Sequence, residues 1–172
     1  MRTKTVFFII ITMLVTMSVS SFVSGKILFK DNFEDDKVGQ PPKNWVVGFE
    51  GKDDAKVVQD PERGKNKVFS SPTERHDVKG AIYITGKGEN WTDYYVQWEM
   101  LFPKDFYMGI VFRFSGGESF YLLDRRQNSK QLDFWKRQGG WKNFGTSEDA
   151  QGLAIEKWWS FQLKISGKDF EV

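Results

Sequence analysis

The chain has no cysteine and a single histidine, His76. Disulfide staples are therefore excluded, and so is a zinc site built from Cys and His ligands. A Ser-His-Asp triad would have to use His76, which sits among Thr73, Glu74, Arg75 and Asp77 with no glycine-flanked serine elbow nearby. Amphipathic helical spacing is lacking, as are internal repeats and low-complexity tracts. The longest apolar run, residues 6–17, is interrupted by Thr12 and Thr16 and falls short of the roughly 20 apolar residues that span a bilayer. An excess of charge is missing too. The formal charge is +2, and Arg2 and Lys4 account for it; without them 23 basic residues face 23 acidic ones. A neutral domain lacks the basic footprint that a nucleic-acid partner requires.

Residues 1–25 run from basic (Arg2, Lys4) through apolar to small and mildly polar, the order of a secretory signal peptide. Val23 and Gly25 place cleavage before Lys26, with an uncleaved anchor as the alternative. Residues 26–172 then form the expected domain, secreted or held in the periplasm or cell envelope, with no membrane span after cleavage. An exported domain without disulfides holds together by packing alone, and this one is long enough for a sizeable core. The absence of disulfides fits a bacterial envelope.

What is abundant is aromatic: 7 Trp, 5 Tyr and 16 Phe, which favour strands and supply flat stacking surfaces. Strand-like runs occur at 27–33, 45–49, 55–58, 67–70, 81–85, 94–102, 107–114, 119–124, 131–136 and 158–166. Gly-, Asn-, Asp- and Pro-rich turns separate them. Three runs alternate clearly. One parity (Tyr94, Val96, Trp98, Met100; Met108, Ile110, Phe112, Phe114; Trp159, Phe161, Leu163, Ile165) predicts the core. The other carries Glu99, Arg113, Trp158, Gln162 and Lys164. Tyr121 joins that polar face in one register, and Asp133 and Trp135 extend it from the next strand. Many short strands of this kind predict an all-β sandwich of two antiparallel sheets.

Several stretches carry a resemblance. Residues 29–35, the turn at Gly39, Pro41 and Pro42, and Trp45 resemble the opening of bacterial secreted concanavalin A-like, laminin-G-like jelly rolls. The segments Met108-Gly109-Ile110-Val111-Phe112-Arg113 and Phe120-Tyr121-Leu122 resemble that superfamily's central signature, and 158–167 resembles its Trp–Lys–Gly end strand. The resemblance covers nearly all of 27–172 and implies the jelly-roll fold. The superfamily's chain continues past the residue where this one stops, so the domain is expected to be C-terminally incomplete, leaving 27–33 as an unpaired edge.

Relatives on this fold include β-glucan glycosidases, whose catalytic carboxylates alternate along one strand so that both enter one groove. No such pattern occurs here: Glu34/Asp36, Asp60/Glu62 and Asp169/Glu171 lie in turns, across Pro61 or at the chain end. The 3-keto-disaccharide hydrolase domains share the opening and the end strand, without an acid spacing that matches residue by residue. Asp31, Glu34 and Asp36 are candidates for calcium, which takes six to eight oxygens, against the simpler reading of a solvated turn. No other cofactor is indicated. Asn90, Trp91 and Thr92 form a glycosylation sequon that only a eukaryote would use. Trp91, Trp135, Trp141 and Trp158 are not claimed by the core, and Gly139 and Gly140 mark Trp141 as the best displayed. Indole rings stack on sugar C–H faces while amides and charges take the hydroxyls. The expectation is therefore a non-catalytic module binding a carbohydrate or cell-surface glycan through Glu99, Arg113, Tyr121, Trp135, Trp158 and Gln162. The alternatives are a hydrolase of the 3-keto-disaccharide or β-glucan type and an adhesion module.

Overall fold

A computed structural model describes residues 26–49, 55–70, 82–85, 87–88, 90–105, 107–127, 130–147 and 152–172. The leader with its cleavage point and His76 lie outside the described residues. Among the described residues there is no helix, hence none long and apolar enough to cross a membrane. The strands are β1 (Val46–Phe49), β2 (Lys56–Gln59), β3 (Lys67–Ser70), β4 (Ile82–Ile84), β5 (Tyr94–Leu101) and β6 (Met108–Phe112). They continue as β7 (Phe120–Arg125), β8 (Leu132–Arg137), β9 (Trp141–Thr146), β10 (Trp158–Ser166) and β11 (Asp169–Glu171). All pairings are antiparallel. Two larger sheets, β11-β10-β5 and β6-β7-β8-β9, accompany the pairs β1-β4 and β2-β3.

The period-two alternation of β5 and β10 is realised in their register. Tyr94 opposes Ile165, Val96 opposes Leu163 and Trp98 opposes Phe161, and the last two rings stack at 5.1 Å. This face meets the inner face of the four-stranded sheet in one core of Phe112, Leu123, Leu163 and Ile165, flanked by Ile110, Tyr121, Leu132, Phe134 and Phe170. The arrangement is sandwich-like. Gly109 is required by close approach: a Cβ there would stand 2.0 Å from the Leu123 carbonyl oxygen and 2.5 Å from the Asp124 Cα. A side chain at this position would force β6 and β7 apart.

Three expectations about strands need correction. Residues 27–33 form no strand, and Ile27 is 74% exposed. The Asp31 carboxylate instead accepts the Phe33 N–H at 2.9 Å and the Trp45 indole N–H at 2.9 Å. That local bond competes with a ladder and turns the chain at Phe33, which adopts a φ of 61°. Second, β9 is an additional strand, invisible to alternation because all six of its residues are exposed and its register slips opposite Phe134 and Trp135. Third, Phe114 does not continue the inner parity of β6. Arg113 takes a φ of 50°, which ends the alternation, and Phe114 packs on Phe120 at 6.2 Å.

Candidate functional site

The six residues expected to share a groove are distributed over the molecule. Glu99, Trp158 and Gln162 do lie together, on the outer face of the β5-β10 pair, where Glu99 opposes Ser160 and Gln162 opposes Gln97. Trp135 lies on the outer face of the other large sheet. Tyr121 opposes Phe112, which puts it on the inner face, against Phe112, Phe134 and Phe170 at 5.2–5.9 Å; the outward position expected of it belongs to the other register. Arg113, turned by its positive φ, reaches between the sheets. It donates to the Thr92 carbonyl at 3.2 Å and to the Gly167 carbonyl, with its guanidinium 5.2 Å over Phe170. Arg113 therefore ties loop ends together and is remote from Glu99's face. The polar half of the expected site is also occupied. Arg63, from the β2–β3 turn, pairs with Glu99 and lies 4.5 Å over the Trp158 ring.

The carboxylates considered for calcium serve the backbone. Asp31 is engaged as described, Glu34 accepts the Lys67 N–H at 2.8 Å, and Asp36 accepts the Lys43 N–H at 3.2 Å. Among the described residues no three acidic or histidine side chains converge as a cation would need. Trp91 caps a loop: its indole lies where a Gly88 side chain would stand and meets Tyr94 edge-on at 5.7 Å.

A more organised constellation lies on the outer face of β6-β7-β8-β9. In register, Asp124 opposes Asp133, Leu122 opposes Trp135 and Phe120 opposes Arg137. Two carboxylates directly opposite one another repel, and Arg126 resolves this. Its N–H closes the turn to the Gln131 carbonyl at 3.1 Å, and its side chain returns over the sheet. There Nη1 meets Asp124 Oδ2 at 3.1 Å and Nε meets Asp133 Oδ2 at 3.2 Å. The guanidinium lies 4.5 Å from the rings of both Tyr107 and Trp135, a charge held between aromatic faces. Asp133 also accepts the Thr146 hydroxyl at 2.6 Å.

The β8–β9 hairpin turns at Gly139, whose φ of 63° suits glycine. It displays Trp141, which is 50% exposed, as the paired glycines predict. Trp141 stands perpendicular to Trp135 with centroids 6.2 Å apart. Arg137 lies 5.1 Å over Trp141 and is paired with Glu118 at 2.5 Å. Arg126, Trp135 and Trp141 line a cleft of about 330 Å³, within the range of small-ligand sites.

Polar satisfaction is incomplete on this face. Asp124 Oδ1, Trp135 Nε1 and Arg137 Nε are buried without a hydrogen-bond partner, and Trp158 Nε1 on the other large sheet is a fourth such atom. Leaving a buried polar group unpaired costs about 1–3 kcal/mol, so three on one face weigh on its local stability; closed off from the surface, these atoms are out of a ligand's reach. Asp124, only 3% exposed, is pushed by burial from 3.8 up to about 6. Arg126 pulls the other way, and Asp133 adds to the rise.

Sequence reasoning reaches Asp133, Trp135 and Trp141 and misses Asp124, Arg126, Arg137 and Tyr107. The signal for Asp124 and Arg126 is their i,i+2 spacing, which puts both on one face once the register of β7 is known. No family model, no curated protein and no solved structure matches this chain.

Proposed function

We propose that this protein is an exported, non-catalytic carbohydrate-binding module whose site is the cleft of Arg126, Trp135 and Trp141. The observation that carries the reading is two indoles at right angles lining one cleft with a guanidinium, beside the carboxylates that hold it. A pyranose presents complementary surfaces, C–H faces for the rings and hydroxyls for the polar edges. The order of charge and hydropathy in residues 1–25 supports export, and the sandwich-like core agrees with a jelly roll of the concanavalin A or laminin-G type, which we take as its fold.

A hydrolase is the second reading, favoured by one observation: Asp124, with its raised pKa, faces Asp133 beside the cleft, and paired carboxylates in unlike environments are a glycosidase's equipment. Against it, Asp124 Oδ1 is sealed from the surface, whereas a general acid must come within hydrogen-bond reach of the substrate.

Binding of soluble α- and β-glucan oligosaccharides, followed by tryptophan fluorescence and calorimetry, tests the module. Trp141→Ala should weaken binding by about tenfold or more, as loss of a central aromatic anchor does, while Trp158→Ala should leave it unchanged. Binding untouched by Trp141→Ala would move the site elsewhere. Release of reducing ends that disappears in Asp124→Asn would establish the hydrolase instead.

A further inference from the structure

The guanidinium groups around the cleft are paired before any ligand arrives. Arg126 is engaged from two sides, by Asp124 at 3.1 Å and Asp133 at 3.2 Å, and lies between Tyr107 and Trp135. Arg137 is committed to Glu118 at 2.5 Å. Two guanidinium groups thus face three carboxylates. A site built for an acidic sugar would present a guanidinium fork for a bidentate pair; here an arriving carboxylate or sulfate would have to displace a carboxylate already in place. Asp124 lies beneath the surface, with its side chain 4% exposed against 13% for Asp133. Of the two carboxylates on Arg126, which lines the cleft, Asp133 is therefore the one nearer to an incoming group; Glu118, with its side chain 47% exposed, is held on Arg137 instead.

We propose that the cleft selects uncharged saccharides and rejects acidic ones, uronates and sulfated sugars, with Asp133 setting the rejection. The inference rests on the carbohydrate-binding reading above and adds the ligand's charge class. Its physical basis is that like charges brought together at a partly desolvated site repel strongly enough to decide between otherwise identical ligands.

The test pairs each neutral oligosaccharide (β-1,3-, β-1,4- and α-1,4-linked glucans) with its C6-carboxylate counterpart and measures both by calorimetry on the intact protein at neutral pH and low salt. For whichever linkage binds, the neutral member should bind about tenfold tighter or more, since a repulsion of this kind is readily worth a factor of ten. Added salt should narrow the gap through screening, and Asp133→Asn should narrow it further by improving the acidic member. The salt series needs no variant, so the proposal stays exposed if Asp133→Asn fails to fold. An acidic member that binds as well as the neutral one overturns the charge rule and leaves the binding module standing. Failure of every pair to bind overturns both.

Discussion

Each large sheet carries an arginine on its outer face, 4.5 Å over a tryptophan and paired with acid: Arg63 over Trp158 with Glu99, and Arg126 over Trp135 with Asp124 and Asp133. The groups are the same and the provenance differs. Arg63 arrives from the β2–β3 turn, which Asp60 shapes by accepting the Glu62 and Arg63 N–H groups at 2.9 and 3.0 Å. It closes over the β5-β10 face like a latch. Arg126 lies just beyond the very strand that carries Asp124 and forms a floor, beside which Trp141 stands exposed. The acids respond accordingly. Glu99, at the surface, is held below its ordinary range chiefly by the Arg63 hydrogen bond, while Asp124 rises because burial outweighs the pull of Arg126. A latch satisfies its face from outside, whereas a floor leaves a place above itself.

The largest expected effect removes what both faces depend on. Phe112 sits in the shared core, stacked near Tyr121 and Phe134 at 5.7 and 5.9 Å. Phe112→Ala should cost about 3–5 kcal/mol in urea unfolding, as large-to-small core changes do. A loss below about 1 kcal/mol would mean that the two sheets do not share this core.

Asp124 comes next. Its folded-state pKa lies above its ordinary value, so the folded protein holds this proton more tightly than the unfolded chain does. The resulting stability is fully present below about pH 3.8 and is lost as pH rises through about 6. At about 1.4 kcal/mol per pH unit, the loss approaches roughly 3 kcal/mol at neutral pH. Asp124→Asn removes the titration. The stability of the variant relative to the wild-type protein should therefore climb between pH 4 and 7 by up to that amount. A pH-independent difference would remove the buried carboxylate from the comparison.

These expectations show where the sequence is legible. Alternation along β5 and β10 places Glu99, Trp158 and Gln162 on one outer face because two unbroken strands pair without a slip. It fails at Arg113, where one left-handed residue re-aims the chain beyond it. It fails again at Tyr121, whose face depends on a register that alternation within a single strand cannot supply. The cleft is half legible: Asp133 and Trp135 come from their own spacing and Trp141 from its glycine turn. Arg126 is hidden because it lies just past the end of β7 and reaches its partners by turning back over the sheet.

Arg126→Ala should be intermediate. It leaves Asp124 and Asp133 opposed without their cation, which removes a partner from a buried carboxylate at a cost of roughly 2 kcal/mol. Chemical denaturation measures it, and the loss should shrink toward acid pH as Asp124 takes up its proton.

The smallest effect is expected from the equivalent substitution on the other sheet. Arg63 and Glu99 are both substantially exposed, with side chains 38% and 49% accessible, and pairs of that kind contribute little once screened by solvent. Arg63→Ala should therefore leave the thermal midpoint within measurement error. Two local readouts should nonetheless move. The Glu99 carboxyl, tracked by NMR titration, should rise toward its ordinary range because its principal hydrogen-bond donor is gone. The Trp158 indole should become more accessible to acrylamide, since the guanidinium above it has been removed. If instead the thermal midpoint falls as far as it does in Arg126→Ala, the latch supports the fold as much as the floor does, and the two faces differ only in which hairpin supplies the arginine.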